Sequence, residues 1–175
     1  MKYTKFIIKN FKGITDLTID LKRRPETKVL TFVGLNESGK TTILEAIKSL
    51  CDPPDENSLH KFIPKNKKLN FNDTISITAE LDFSEEDERY FNDVARTQGF
   101  KFFADIKHIK VSRYFTFRNS NYIKADNFTV EAEISGSKKV PNKLKPLGGD
   151  DLSHIVHKIQ HSLHPIIFYQ YCLFD

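Results

Sequence analysis

An apolar run that opens directly into a glycine-rich loop and then into an amphipathic stretch constrains the fold of this chain most. Positions 29–42 read VLTFVGLNESGKTT. The start of this segment predicts a buried strand made of Val29, Leu30, Phe32 and Val33. The residues after the loop predict a helix whose apolar face carries Ile43, Leu44, Ala46, Ile47 and Leu50. Strand, loop and helix occur in the order that a phosphate-binding loop of an α/β fold requires.

The loop has the pattern Gly34-x-x-x-x-Gly39-Lys40-Thr41, whose residue types suit a nucleotide's phosphates. Two glycines allow a tight turn in which successive backbone N–H groups point inward, and the following helix directs its positive dipole end at the same anion. We expect Lys40 to reach the β- and γ-phosphates of ATP and the Thr41 hydroxyl to hold Mg²⁺. The alternative is a glycine-rich turn without a ligand. The predicted nucleotide contacts are Gly34, Asn36, Glu37, Ser38, Gly39, Lys40, Thr41 and Thr42.

Composition indicates a globular protein of one domain. The chain has 175 residues, of which 39% are hydrophobic and 29% charged. No apolar run approaches the ~20 residues of a membrane span, and the charged start MKYTKFIIKN does not suit a signal peptide. We therefore expect a cytoplasmic protein without a membrane partner. Cys51 and Cys172 lack the spacing of a zinc site or a disulfide framework and are expected to be free thiols.

Alternating and periodic segments divide the chain further. The first part of the chain is predicted to contain a hairpin from strands 2–9 and 16–21, an irregular connection at 52–73 and a strand at 74–83. A helix capped by Ser84 then runs to about Thr97 and is closed by Gly99, and a second hairpin follows from 106–118 and 122–134. The last part is predicted to contain a linker at 135–150, a helix from Asp150 or Asp151 to about Leu163 and a strand at 166–174. The predicted organisation is a single region at 1–175, with a P-loop core at 1–51, an antiparallel β lobe with an inserted helix at 74–134, and a final helix and strand at 151–175.

An N-terminal strand ends in Asn10-Phe11-Lys12 and is followed by a second strand and then by the segment GLNESGKTTILEAI. This arrangement resembles the start of the ATP-binding head of the SMC, SbcC, RecF and OLD families of ABC-type ATPases. The resemblance implies an α/β P-loop NTPase fold: an ABC-ATPase-head-like first lobe with a mixed sheet, an antiparallel subdomain and a P-loop helix. It covers residues 1–50 by motif and the rest by architecture. Glu37 replaces the glycine commonest in these families, and its side chain is expected to point outward with little loss of binding.

The resemblance also implies roles for the turn after the first strand and for a second subunit. Asn10, Phe11 and Lys12 are expected to contact the nucleotide, with a plain β-turn as the alternative. Such heads act in pairs, which implies a second ATPase head as partner, either as a homodimer or as the missing C-terminal half. ATP is then held between the P-loop of one head and a Ser-Gly-Gly signature of the other.

Two interpretations of the C-terminal part remain open. In the first, Leu147-Gly148-Gly149-Asp150 is a signature and Asp175 ends an acidic strand, although the serine and the catalytic glutamate are missing. In the second, the chain stops at the end of the first lobe, and Gln170 contacts Mg²⁺ and the γ-phosphate; Gln98 and Gln160 are weaker candidates. The candidate catalytic residues are thus Gln170 and Asp175. Both interpretations predict weak ATP binding and poor hydrolysis by this chain alone.

Two lysine-rich loops raise the question of DNA as a partner. They contain Lys61, Lys65, Lys67 and Lys68, and Lys138, Lys139, Lys143 and Lys145. They are either ordinary solvated loops or contacts to a phosphate backbone. His154, His157, His161 and His164 are expected on the solvent face of the last helix rather than in a metal site.

Three functions remain in contention. The first is an ATPase head whose ATP-driven pairing serves DNA processing, repair or defence. The second is a nucleotide-dependent assembly module that docks a partner without hydrolysing ATP efficiently. The third, a nucleotide kinase, is disfavoured because the chain lacks an arginine-rich lid.

Overall fold

The structure is a computed structural model that describes residues 1–22, 31–35, 38–97, 108–123, 128–134, 143–147 and 159–163. The strands are β1 (Lys2–Phe11), β2 (Ile14–Asp20), β3 (Thr74–Asp82), β4 (His108–Arg118), β5 (Asn121–Ile123), β6 (Phe128–Ile134) and β7 (Lys143–Leu147). The helices are α1 (Lys40–Cys51) and α2 (Glu85–Thr97), with 3-10 helices at Glu56–Phe62 and Lys65–Lys67. Residues 159–162 are also helical.

The strands form one sheet in the order β2-β1-β3-β4-β6-β7, and β5 pairs with the end of β4. All pairings among the described residues are antiparallel. The two predicted hairpins are confirmed, as β1–β2 and as β4 with β5 and β6. Because β1 pairs with β3, the predicted P-loop core and the predicted β lobe share a single sheet. The parallel pairings that a mixed sheet implies do not occur among those described.

The core lies against one face of this sheet. Residues at alternate positions of β3 and β4 are buried, as the period of two in the sequence predicts: Ile75, Ile77, Ala79, Leu81, Ile109, Val111, Phe115 and Phe117. Helix α1 contacts β1 and β3 and contributes Ala46, Ile47 and Leu50 to the core. Apolar burial of this kind is the main stabilising term of such a fold. It also fixes α1, and with it the glycine-rich loop, relative to the sheet.

Helix α2 begins as its sequence predicts. The backbone N–H of Asp87 donates to Ser84 Oγ at 3.2 Å, and the backbone N–H of Ser84 donates to Asp87 Oδ2 at 3.0 Å, which is a reciprocal capping box. The N-terminal ammonium of Met1 also donates to Asp87. Burial acts to raise the pKa of Asp87, but the hydrogen bonds from this ammonium and from Ser84 hold it below its usual value. Gly99, predicted to close the helix, lies outside the described residues.

Two sequence predictions need correction. Residues 31–35 do not form the predicted buried strand: Val33 is 91% exposed and Leu35 85% exposed. No described strand pairs with this segment, so its backbone lacks the hydrogen-bonding partner that a strand requires. The predicted linker at 135–150 contains β7, which pairs with β6 from Val130↔Leu147 to Ile134↔Lys143. Pro146 is tolerated because β7 lies at the edge of the described sheet.

Two further secondary-structure predictions are confirmed where the structure describes them. The connection at 52–73 is irregular and contains the two 3-10 helices. The last predicted helix is present at 159–162, with Ile159 and Leu163 buried and His161 exposed. Its proposed start at Asp150 or Asp151 and the strand at 166–174 lie outside the described residues.

Candidate nucleotide-binding site

The glycine-rich loop enters α1 through Gly39, which adopts a left-handed conformation. Gly39 has φ 88° and ψ 4°, a region that glycine enters without the steric penalty of a Cβ. Its carbonyl accepts the first helical hydrogen bond, from the N–H of Ile43 at 3.0 Å. A Cβ built on Gly39 would meet no atom within 4 Å, so the space beside it is open. Glycine is therefore required here by backbone conformation rather than by a close neighbour.

The N-terminus of α1 is uncapped by any side chain that the structure describes, and its first turn contains no acidic residue. The first N–H groups of a helix have no partner within the helix, and together they carry about half a positive charge. An anion such as a phosphate satisfies both the hydrogen bonding and the field of such a terminus. The Thr41 side chain is exposed in this first turn and Thr42 is half-buried.

Lys40 folds across its own loop. Its Nζ donates to the carbonyl oxygens of Gly34 at 2.6 Å and Leu35 at 2.5 Å, and to Ser38 Oγ at 3.1 Å. The Ser38 N–H donates to the Leu35 carbonyl at 3.3 Å, so the loop closes around the ammonium group. A Cβ on Gly34 would approach Ser38 Oγ to 3.1 Å, which makes this position tight as well. The ammonium, the open helix terminus and the exposed Thr41 hydroxyl form a donor set that fits a phosphate with Mg²⁺.

The turn after β1 serves packing more than the sequence predicts. Phe11 is 0% exposed and its ring lies 4.5 Å from that of Phe62, centroid to centroid, so it belongs to the core. The Asn10 side-chain amide donates to Asp73 Oδ2 and to the Thr74 carbonyl, both at 3.1 Å. Phe11 thus packs in the core and Asn10 joins the end of β1 to β3, while a nucleotide contact at either residue stays a prediction.

Lys12 is the member of that turn that reaches α1. Its Nζ lies 2.5 Å from Glu45 Oε2, and its backbone N–H donates to the Phe62 carbonyl at 2.7 Å. Glu45 follows Thr41 by four residues, so both side chains lie on the same face of α1. Lys12 therefore lies on the side of α1 that carries Thr41, which keeps its predicted role as a nucleotide contact open.

The structure describes only some of the other predicted site residues. Asn36, Glu37, Gln98, Gln170 and Asp175 lie outside the described residues, as do residues 148–150 of the candidate signature. Gln160 is half-buried in the helical segment 159–162. The structure thus brings together Gly34, Ser38, Gly39, Lys40, Thr41 and Thr42, with Lys12 beside the same helix.

Arg113 is a structural determinant that the sequence reasoning missed. Its Nε donates to the Leu50 carbonyl at 2.8 Å, so it holds the C-terminal end of α1 against β4. The side chain is 5% exposed, and the charge lies over the Phe128 ring at 5.1 Å from its centroid. Burial lowers the pKa of Arg113, and its Nη2 has no hydrogen-bond partner in the part of the chain that the structure describes. The sequence does indicate this role, because Arg113 is a charged residue at a position of the alternating strand that faces the core.

A model of the AAA ATPase domain family matches residues 1–162. The chain belongs to this AAA ATPase domain family. The match confirms the predicted P-loop ATPase class, and membership implies that the chain uses a nucleotide, usually with Mg²⁺. Within the described residues, no helix is long and apolar enough to cross a membrane.

Comparison with solved structures gives a more distant likeness. One similar structure comes from work on ATP-driven dimerization and DNA-stimulated activation of SMC ATPases. It shares 16% sequence identity at a TM-score of 0.43, over 71% of this chain and 73% of the other. Among curated proteins, none matches the sequence significantly.

Proposed function

We propose that this AAA ATPase domain binds ATP and Mg²⁺ at residues 34–42, as the N-terminal portion of an SMC/RecF/OLD-like ATPase. The carrying observation is the left-handed Gly39, which opens an uncapped helix terminus next to the Lys40 ammonium. Such a terminus and a lysine together recognise a phosphate chain. The loop sequence alone permits a plain turn, whereas the open space beside Gly39 and the absence of an acid in the first turn favour a ligand.

Each residue of the loop has a distinct role in this proposal. The N–H groups of Asn36, Glu37, Ser38 and Gly39 surround the phosphates, and Thr42 contacts them from the first helical turn. Lys40 leaves its contacts with Gly34 and Leu35 to neutralise phosphate charge. Thr41 supplies a hydroxyl oxygen to Mg²⁺, a type of ligand that this ion prefers. Bound Mg²⁺ and ATP supply the phosphoryl group and the charge neutralisation that hydrolysis requires.

Hydrolysis in this proposal depends on a second head, either another copy or the C-terminal half of the same ATPase. Gln170 and Asp175 remain proposed catalytic residues, with Gln170 also proposed for Mg²⁺. ATP-driven pairing of the heads then serves DNA processing, repair or defence. The chain alone is accordingly expected to bind ATP weakly and to hydrolyse it slowly.

One observation favours a second candidate, a nucleotide-dependent assembly module that does not hydrolyse ATP efficiently. Val33 and Leu35 expose almost their whole side chains directly beside the loop. Exposed apolar residues with strand-type sequence suit the docking of another chain. In this alternative ATP orders the loop so that a partner can cover them, and no phosphoryl transfer is needed.

Titration of the purified chain with a fluorescent ATP analogue and Mg²⁺ tests the binding proposal. Lys40→Ala removes the loop ammonium, while the matched control Lys48→Ala removes a lysine of the same helix whose only described ion pair is an exposed one with Asp52. We expect Lys40→Ala to weaken binding at least tenfold and Lys48→Ala to leave it unchanged. Equal affinities of Lys40→Ala and the unmodified chain would overturn the proposal.

Two further measurements separate hydrolysis from docking. Phosphate release by the chain alone should be slow, and a rate typical of intact ATPases that Lys40→Ala abolishes would contradict the incomplete site. Light scattering with and without ATP reports pairing. ATP-dependent pairing followed by faster phosphate release supports the ATPase head, whereas pairing without any release supports the assembly module.

A further inference from the structure

The segment between α1 and β3 concentrates positive charge. Between positions 57 and 72 the sequence contains Lys61, Lys65, Lys67 and Lys68 and no aspartate or glutamate. All four side chains are exposed, and so is Arg118 at the end of β4. We call these five residues the basic edge. A surface of one sign raises the local concentration of oppositely charged partners.

A buried framework holds the lysines of the basic edge in place. Pro64 is buried and begins the 3-10 helix Lys65–Lys67, in which the Lys67 N–H donates to the Pro64 carbonyl at 2.9 Å. The Asn70 N–H donates in turn to the Lys67 carbonyl at 3.2 Å. Phe71, which is 1% exposed, anchors the end of the segment in the core. The backbone under these lysines is therefore fixed by hydrogen bonds and burial at both ends.

Hydrogen bonds also join this segment to the turn between β4 and β5. The Ser120 N–H donates to the Phe71 carbonyl at 3.0 Å, and the Phe71 N–H donates to Ser120 Oγ at 2.9 Å. The Asn119 N–H donates to Asn72 Oδ1 at 2.7 Å. Arg118 directly precedes this turn, so tertiary contacts bring it to the lysine segment although it lies some fifty positions later in the sequence.

The charges of the basic edge are not neutralised within the part of the chain that the structure describes. Three exposed cations elsewhere have acidic partners: Lys9 with Asp16, Lys48 with Asp52 and Arg89 with Glu85. None of the five basic-edge residues has such a pair among the described residues. The acids that flank this segment are Asp55 and Glu56 before it and Asp73 after it, and the two carboxylate oxygens of Asp73 accept hydrogen bonds from the Asn10 amide and the Thr74 N–H. Lys67 Nζ lies over the Phe71 ring at 5.9 Å from its centroid, and an external polyanion displaces no described acidic partner from any of the five cations.

We propose that the basic edge binds the phosphate backbone of duplex DNA without sequence preference. This deepens the proposed DNA-directed role and is independent of ATP binding itself. Single-stranded nucleic acid is bound largely by stacking on exposed aromatic rings. Phe62, Phe71 and Phe117 all point into the core here, which leaves backbone contacts. The amides of nearby Asn66 and Asn70, which are also exposed, suit hydrogen bonds to phosphate and sugar oxygens.

An anionic membrane is the competing partner, because Leu69 between the lysines is 97% exposed. A single apolar side chain gives little insertion energy, and stable membrane binding needs a second hydrophobic signal. The basic edge has none among its described residues. We therefore assign the surface to DNA and use vesicles as a test of that assignment.

Fluorescence anisotropy of a labelled 30-base-pair duplex, titrated with the full chain without nucleotide, tests the proposal. If all five cations contact phosphates, log K falls with log salt at a slope of about −4.5, or roughly 500-fold weaker binding between 50 and 200 mM salt. The triple variant Lys65→Gln, Lys67→Gln, Lys68→Gln should reduce the slope to about −1.8 and weaken binding at least tenfold at low salt.

A charge-matched control separates a site from a general charge effect. Lys9→Gln, Lys22→Gln, Lys48→Gln removes the same net charge from other exposed positions and should leave DNA affinity within about twofold, because most affinity comes from contacting charges. Equal losses in both triple variants would overturn the proposal. Arg118→Gln, on a different element, should change the slope from about −4.5 to about −3.6, and it keeps the proposal testable if the lysine variant fails to fold.

Two further binding measurements on variants distinguish this inference from the proposed function. Lys40→Ala should bind DNA as the unmodified chain does, and the basic-edge triple variant should still bind the ATP analogue. If the unmodified chain binds duplex DNA but does not bind the ATP analogue, the proposed function is refuted and this inference stands. Tighter binding to phosphatidylserine vesicles, single-stranded DNA or duplex RNA than to duplex DNA would overturn the inference.

Discussion

Replacing Phe11 by alanine separates a packing role from a nucleotide contact at the turn after β1. The ring is 0% exposed and packs against Phe62 at 4.5 Å between centroids. Truncating a fully buried phenylalanine leaves a cavity and lowers the free energy of unfolding by about 3–5 kcal/mol. For a chain of this size each kcal/mol shifts the melting temperature by about 2–4 °C, so Phe11→Ala should melt roughly 6–20 °C lower.

Thermal unfolding followed by circular dichroism measures this loss, and Phe11→Leu is the matched control. Leucine keeps most of the buried volume and should cost about 1–1.5 kcal/mol. Below their melting transitions, both variants should bind the fluorescent ATP analogue as the unmodified chain does. Lys12→Ala should instead weaken that binding with a small effect on stability, because the Lys12–Glu45 ion pair is partly exposed.

The opposite pattern would refute the reasoning. If Phe11→Ala melted within about two degrees of the unmodified chain and lost ATP affinity, Phe11 would contact the nucleotide, as the resemblance to ABC-type heads implies, and the packing assignment would be wrong.

Two further predictions concern the loop and the start of α2. Gly39→Ala places a Cβ at φ 88°, a strain of about 1–2 kcal/mol, and should weaken ATP-analogue binding about 5–30-fold; unchanged affinity would contradict a required left-handed residue. Hydrogen bonds hold the folded-state pKa of Asp87 below its ordinary value, so the stability it contributes is present above that ordinary pKa and is lost as the pH falls through the folded pKa. Urea midpoints measured from about pH 5 downward should therefore drop less for Asp87→Asn than for the unmodified chain, and parallel curves would contradict this linkage.

Local patterns in the sequence predict those parts of the structure that depend on local physics. The alternation of Ile75 and Ile77 with polar neighbours identifies β3, because a strand with one buried face has a period of two. Ser84 followed by Asp87 identifies the start of α2, because capping involves residues three positions apart. The pattern of glycines before Lys40 likewise identifies the loop and the helix that follows it, because the residues that set both are close together in the sequence.

The failures all concern contacts between distant segments. The strand predicted from Phe32 and Val33 is not formed by residues 31–35, because a strand requires a neighbouring chain that no local pattern supplies. Phe11 lies between two polar residues in the sequence, which favours a nucleotide contact. In the structure its ring packs against Phe62, which lies far along the chain. Arg113 falls within an apolar alternation, and its partner is the end of α1.

The sequence by itself thus predicted a phosphate-type ligand at Gly34 to Thr41, because the residues that set the turn and the first helical turn lie within that single segment. Only the tertiary structure decided what surrounds it. It joined Lys12 to Glu45 and brought Arg118 to the lysines before β3, because ion pairs and surfaces of this kind depend on sheet register and packing. Those long-range contacts separate the ligand-binding residues from residues that resemble them in sequence.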